Sequence, residues 1–312
     1  MSSTEADAAE RARLSLEGLS VGDAFGERFF VNPDVVEALI DQRAVPRTPW
    51  HWTDDTAMAL SVVETLCTGG RIEPGDLARR FAERYMADPH RGYGGTAHEI
   101  LQAIARGTAW REASEAAFGG QGSMGNGGAM RAGPVGAYFA NDLGRVVDEA
   151  RASASPTHAH PEGQAGAIAV AVAAALAWRS RGKTVPATEL VLGEVAAHTP
   201  PGATHDGLRR ACTIPASEDP RAAARALGNG SQVISADTVP FALWCAARHL
   251  DDFEGALWTT VAGLGDRDTT CAIVGSVVIM RTGLASVPAA FREAREPLDS
   301  RATHVERFAA AR

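Results

Sequence analysis

Along this chain apolar residues return at helical spacing far more often than at the alternate spacing of a strand. Ten segments carry that period: 9–25, 53–67, 74–85, 97–106, 142–153, 163–178, 187–198, 238–249, 253–263 and 268–280. In the second, Met58, Val62 and Leu66 form one i, i+4 row and Ala59, Val63 and Cys67 the next, an apolar surface wider than an amphipathic stripe. Segment 271–280 is apolar all round apart from Ser276. Both therefore read as central, buried helices. The longest apolar run, 166–178, is mostly Ala and too short to cross a bilayer, so it reads as a close-packed core helix. Loops dense in Gly and Pro lie at 28–50, 88–95, 118–128 and 200–205, and none has the composition of a flexible linker. No repeat of 20–50 residues is present. The pattern predicts an all-α fold, one multi-helix domain over 1–312, with 1–8 as a flexible terminus.

Composition narrows this only a little. With 312 residues, 45% hydrophobic and 6% aromatic, the chain can bury a substantial core as one large domain or two, and the absence of a linker favours one. A net charge of -8 argues against broad attraction to nucleic acid or anionic membranes, while leaving room for a local basic groove. Cys67, Cys212, Cys245 and Cys271 form no CxxC pair and read as reduced core thiols. The polar, acidic start, 1–13, lacks the basic and apolar regions of a signal peptide, which predicts a cytoplasmic protein.

Candidate chemistry gathers in short motifs. Trp52-Thr53-Asp54-Asp55-Thr56 and Gly265-Asp266-Arg267-Asp268-Thr269-Thr270 each open one of the central helices. A single Thr-Asp-Asp run is explained by helix capping. Two such runs would bring Asp54, Asp55, Asp266 and Asp268 to one place, and buried carboxylates must be paired or metal-bound. Oxygen ligands without Cys or clustered His point to a hard cation, Mg²⁺ ahead of Mn²⁺ or Ca²⁺. A glycine-rich loop, Gly122-Ser123-Met124-Gly125-Asn126-Gly127-Gly128, precedes Ala129-Met130-Arg131 as if entering a helix, where backbone N–H groups and the helix dipole could receive an anion; read alone, it is as well explained as a turn. In Thr157-His158-Ala159-His160, a hydrogen-bonded pair at a helix start is the expected reading ahead of metal ligation.

The order of these motifs, beginning with Gly22-Asp23-Ala24-Phe25-Gly26, resembles the ADP-ribosylglycohydrolase family over nearly the whole chain. That resemblance implies an all-α fold with a binuclear metal centre at the base of an ADP-ribose cleft. Two Mg²⁺ ions, with Mn²⁺ as the alternative, would be held by Thr53, Asp54 and Asp55 from the first motif and Asp266, Asp268 and Thr269 from the second. Gly122, Ser123, Met124, Gly125, Asn126 and Gly127 would wrap the pyrophosphate and adenosine, His158 would lie beside a ribose or phosphate, and Phe118 would stack on adenine. Met124 stands where relatives carry a second aromatic. Several relatives also place a Glu four residues after the Gly-Asp-x-x-Gly motif, where this chain has Phe30; Glu27 is the nearest acid, either a shifted substitute or a solvated helix-end carboxylate. Asp55 is the favoured group for activating water. The resemblance implies a monomer that takes ADP-ribose linked to an acceptor and hydrolyses the glycosidic bond, arginine being the first acceptor to test and a nucleic-acid-linked substrate remaining open. The competing expectations are an ADP-ribose-binding protein with weakened catalysis and a two-metal nucleotide phosphohydrolase.

Overall fold

The computed structural model describes residues 3–298. Its helices are α1 (Ser3–Glu27), α2 (Pro33–Asp41), α3 (Asp54–Gly69), α4 (Pro74–Ala87), α5 (Gly95–Ala105), α6 (Trp110–Gly120), α7 (Gly127–Met130), α8 (Gly133–Tyr138) and α9 (Leu143–Ala154). They continue as α10 (Pro161–Arg179), α11 (Thr188–His198), α12 (Ala203–Ala211), α13 (Pro220–Leu227), α14 (Ser235–Arg248), α15 (Phe253–Val261), α16 (Arg267–Thr282) and α17 (Ala289–Ala294). Among the described residues there is no strand, only two isolated bridges, and the expected all-α class holds. No described helix is long and apolar enough to cross a membrane.

All ten expected helices form, with ends shifted by at most six residues. α1 starts at Ser3, so 3–8, expected as part of a loose terminus, is helical and Ala8 is buried; residues 1–2 lie outside the described residues. Four of the other shifts have a capping cause: Thr53, Asp142 and His160 are N-caps that accept from a backbone N–H inside the helix, and left-handed Gly70 ends α3. The segment 28–50, read as loop, contains α2, capped by Asn32 and started by Pro33, with Val36 as its buried contact.

α1 and α16 form the centre, and glycine is what lets them touch. A Cβ on Gly18 would stand 2.3 Å from the Gly275 carbonyl oxygen, one on Gly22 2.1 Å from that of Cys271, and one on Gly26 2.2 Å from that of Arg267. The i, i+4 glycine row thus removes the side-chain layer that normally separates two helices. Asp23, next to Gly22, is thereby carried down to the beginning of α16 and beside α3. The same end of α1 is fixed by aromatic packing. Phe25 stacks on Phe291 at 5.3 Å and meets Trp50 and Trp258 edge-on, while Trp50 pairs through its backbone with Ala294 and Glu296. This anchors the chain just ahead of Trp52 and Thr53.

Candidate metal centre and ligand loop

The two acidic motifs meet as the N-termini of α3 and α16. Thr53 caps α3 and Asp266 stands at the N-cap position of α16 without a side-chain capping bond, so Asp54, Asp55 and Asp268 occupy first-turn positions where the helix dipoles favour negative charge. Asp55 Oδ2 stands 3.2 Å from Thr53 Oγ1 and 3.4 Å from Thr269 Oγ1, which joins the two motifs directly. Asp23 underlies them. Its fully buried carboxylate accepts from Thr53 N (2.9 Å), Thr53 Oγ1 (2.9 Å), Thr56 N (3.1 Å) and the Thr56 hydroxyl.

The charge of this cluster is not balanced by the protein. Burial, then Asp23 and Asp268, pushes Asp55 well above the usual carboxylate range, and burial together with Asp266 and Asp23 does the same to Asp268. Asp54 is pushed up to about 7 by burial and by Asp23, and Asp23 to about 6 by burial, which its hydrogen bonds with Thr56 and Thr53 offset. Among the described residues, buried Arg131 acts on Asp54 and Asp55, and half-buried Arg267 acts on Asp268 and Asp266, against five carboxylates with Asp23 included. Asp55 Oδ1 and Asp268 Oδ1 are buried with no hydrogen-bond partner. Two orphaned oxygens among mutually repelling carboxylates, with hydroxyls beside them, suit hard cations in donor type and in charge. Among the described residues, however, no three His, Cys, Asp or Glu side chains close around one point as a preformed shell.

The glycine-rich loop lies against the second motif. Asn126 Nδ2 donates to Asp266 Oδ2 (2.7 Å) and to Thr238 Oγ1 (3.0 Å). The loop also pairs with the segment before α14: Asn126 N donates to Val233 O and Ser235 N to Met124 O. Gly122, at φ +75°, accommodates a close approach to Ala159 and His160, since a Cβ there would stand 2.6 Å from His160 N. Ser123 Oγ accepts from Gly125 N (3.1 Å). His158 is buried behind the loop, with Nε2 3.2 Å from where a Cβ on Gly125 would sit and Cε1 3.0 Å from one on Gly127. One expectation needs correction. The loop enters α7, a single turn of four residues, so a helix dipole contributes little and anion donors would have to be loop N–H groups.

Phe118 sits in a kink of α6 at φ +53° and is 61% exposed, an aromatic held out beside the loop. Met124 is half-buried. Val233, 56% exposed and also at positive φ, flanks the loop on its other side; strained, exposed apolar residues of this kind mark functional loops more often than cores. His160 caps α10 by accepting from Glu162 N (3.1 Å), as expected of a hydrogen-bonded pair. Glu27 is the last residue of α1 and half-buried; burial raises its carboxyl, Arg28 opposes, and Asp266 adds to the rise. Phe30 is 47% exposed under the Arg267 guanidinium at 4.7 Å. All four cysteines are free, with Cys67 and Cys212 only half-buried and therefore not the core thiols expected.

Asp23, Arg131 and Val233 were not singled out from sequence. Asp23 stood in plain view within Gly22-Asp23-Ala24-Phe25-Gly26, but its partners are 30 and 33 residues away across a helix contact. A separate groove of about 570 Å³ lined by Arg79, Met86 and Trp110 shares no residue with the acidic cluster or the glycine-rich loop.

Comparison with known proteins bears on the same residues. The chain is 36% identical to human ADP-ribosylhydrolase ARH3 over 136 residues, 39% of this chain and 37% of that protein. The Danio rerio ADP-ribosylhydrolase ARH3 is 36% identical over 139 residues, 41% of this chain and 37% of that protein. The match thus spans little more than a third of the length of these curated relatives. A solved structure of an ADP-ribosylglycohydrolase-related protein complex superposes with a TM-score of 0.66 at 26% identity, covering 95% of this chain and 94% of that one. The family profile for ADP-ribosylglycohydrolase matches residues 4–312, which takes in both acidic motifs, the glycine loop and His158, and the chain therefore belongs to the ADP-ribosylglycohydrolase family.

Proposed function

We infer that the protein hydrolyses an ADP-ribosyl glycosidic bond, releasing ADP-ribose from a modified acceptor. The observation that carries this reading is the meeting of two helix N-termini at four carboxylates, two of them with orphaned buried oxygens, directly against a glycine-rich loop through the Asn126–Asp266 hydrogen bond. Thr53, Asp54, Asp55, Asp266, Asp268 and Thr269 are the residues that would hold two Mg²⁺ or Mn²⁺ ions. Such ions would supply charge neutralisation and Lewis acidity toward ribose oxygens and water.

The chain's own groups divide the rest. Backbone N–H groups of Gly122, Ser123, Met124, Gly125, Asn126 and Gly127 receive the pyrophosphate, exposed Phe118 stacks on adenine, and His158 donates to a ribose or phosphate oxygen. Asp55, whose Oδ1 has no protein partner, orients the attacking water. Glu27, with its carboxyl raised, can hold a proton near Asp266 for the departing acceptor, which gives it more than a solvated helix-end role. An arginine acceptor is the first to test.

The exposed Phe30 in place of an acid supports a second reading, an ADP-ribose binder with weakened catalysis. Incubation with arginine-, serine- and nucleic-acid-linked ADP-ribose, with Mg²⁺ and after chelation, separates the readings by product. Intact ADP-ribose supports glycosidic cleavage, AMP supports a phosphohydrolase, and binding without product supports the weakened binder.

A further inference from the structure

Behind the glycine loop a chain of hydrogen bonds runs from a buried cation to His158. Arg131 is fully buried, carries its guanidinium 4.4 Å over the Phe81 ring, and has no carboxylate bonded to it. It donates to Gly127 O (2.9 Å), Ser153 O (3.0 Å) and Thr157 Oγ1 (2.8 Å). Thr157 Oγ1 in turn lies 2.7 Å from His158 Nδ1. Directionality follows from chemistry. A guanidinium only donates, so Thr157 Oγ1 accepts from Arg131, and the acceptor within reach of its own proton is Nδ1. A ring that accepts at Nδ1 and is neutral carries its hydrogen on Nε2. Among the described residues Nε2 has no hydrogen-bond partner, and it faces Gly125 and Gly127.

We propose that Arg131, acting through Thr157, is a positioning residue that holds His158 as an Nε2–H donor aimed into the glycine loop, for an anionic or hydroxyl oxygen of the bound ligand. The same guanidinium fixes the Gly127 carbonyl, so one buried cation sets both the loop backbone and the histidine tautomer. Burial and the nearby Arg131 charge lower His158 to about 3, in keeping with a neutral ring that donates without titrating. This inference deepens the ADP-ribose reading above and rests on it for the ligand, but the tautomer itself is a property of the free protein.

The test is ¹⁵N NMR of histidine-labelled protein without ligand, the His158 ring assigned by its loss in His158→Gln, alongside calorimetry with ADP-ribose. Wild type and Thr157→Ser are expected to show a protonated Nε2 and a bare Nδ1. Thr157→Val, which keeps the shape and deletes the hydroxyl, is expected to lose that preference and bind ADP-ribose about tenfold more weakly, the worth of one hydrogen bond to an anionic ligand. An Nδ1–H ring in wild type, or a Thr157→Val ring unchanged from wild type, overturns the relay. Wild type with Nε2–H that is lost in Thr157→Val upholds it even if ADP-ribose fails to bind, and that failure then counts against the functional reading alone.

Discussion

On one wall of the site, Asp54, Asp55 and Asp268 are held above their ordinary range by burial and one another, with two oxygens unbonded. On the facing wall, Arg131, Thr157 and His158 form a hydrogen-bonded chain that leaves His158 Nε2 directed at the loop, and Asn126 bonds Thr238 and Asp266. The first wall is unstable as an anion until something positive arrives. The second is complete before a ligand arrives. Wall one therefore answers to cations and pH, wall two to the shape and hydrogen bonding of an organic ligand, and substitutions should separate the two responses.

The largest effect is expected on the acidic wall. Asp55→Asn or Asp268→Asn should lower turnover by about 10³-fold or more, since each removes charge stabilisation of several kcal/mol; steady-state release of ADP-ribose measures it. Glu27→Gln sharpens the division within that wall: kcat should fall about 10²-fold or more while Mg²⁺ and ADP-ribose affinities stay put, because the amide keeps the shape and cannot hold the proton. An unchanged kcat would assign all proton handling elsewhere. On the loop wall, Gly127→Val drives a branched side chain toward His158 Cε1, only 3.0 Å from the first added carbon. ADP-ribose should bind about 10- to 100-fold more weakly with cation binding intact, the scale of overpacking; a parallel loss of cation binding would show that the walls are not independent.

The smallest expected effect is on stability. Asp54 and Asp23 have folded values raised to about 7 and about 6, above those of an unfolded chain, so their contribution is fully present only below about 4 and is progressively lost as pH rises to 6–7. His158, lowered to about 3, works the other way: its contribution is present above about 6.5 and is lost as pH falls toward 3. Cation-free protein should thus have its Tm decline as pH rises from about 4 to about 7. Mg²⁺ at about 100 times its Kd should restore roughly 2.7 kcal/mol, and Asp54→Asn should flatten the decline. Thermal melts in chelator across pH 5–8 measure this.

How much of this could be read in the sequence differs by wall. The acidic wall was legible in part: an acidic run before an apolar 3.6-residue period marks a helix start, so α3, α16 and the four carboxylates at their N-termini followed together, while ligand roles for Thr53 and Thr269 came only from the family resemblance. What it rests on was not. Asp23 bonds Thr53 and Thr56 only because the Gly18, Gly22 and Gly26 row lets α1 close on α16, a packing fact that spacing does not carry. The loop wall was legible in composition alone: glycines announced a loop, but its partner segment 233–235 lies more than a hundred residues away and the expected helix shrank to one turn. α2, α6, α8, α12, α13 and α17 were passed over because each is eleven residues or fewer and bordered by Gly or Pro, where turn signals outweigh a short apolar period.

The central claim is that the meeting point of α3 and α16 is a cation site. Titration calorimetry of the chelated wild type with Mg²⁺ and with Mn²⁺, repeated on Asp55→Asn and Asp268→Asn with ADP-ribose binding as a control for folding, tests it most directly. Two equivalents bound by wild type and lost in both variants is the predicted result; cation binding unchanged in both would contradict it.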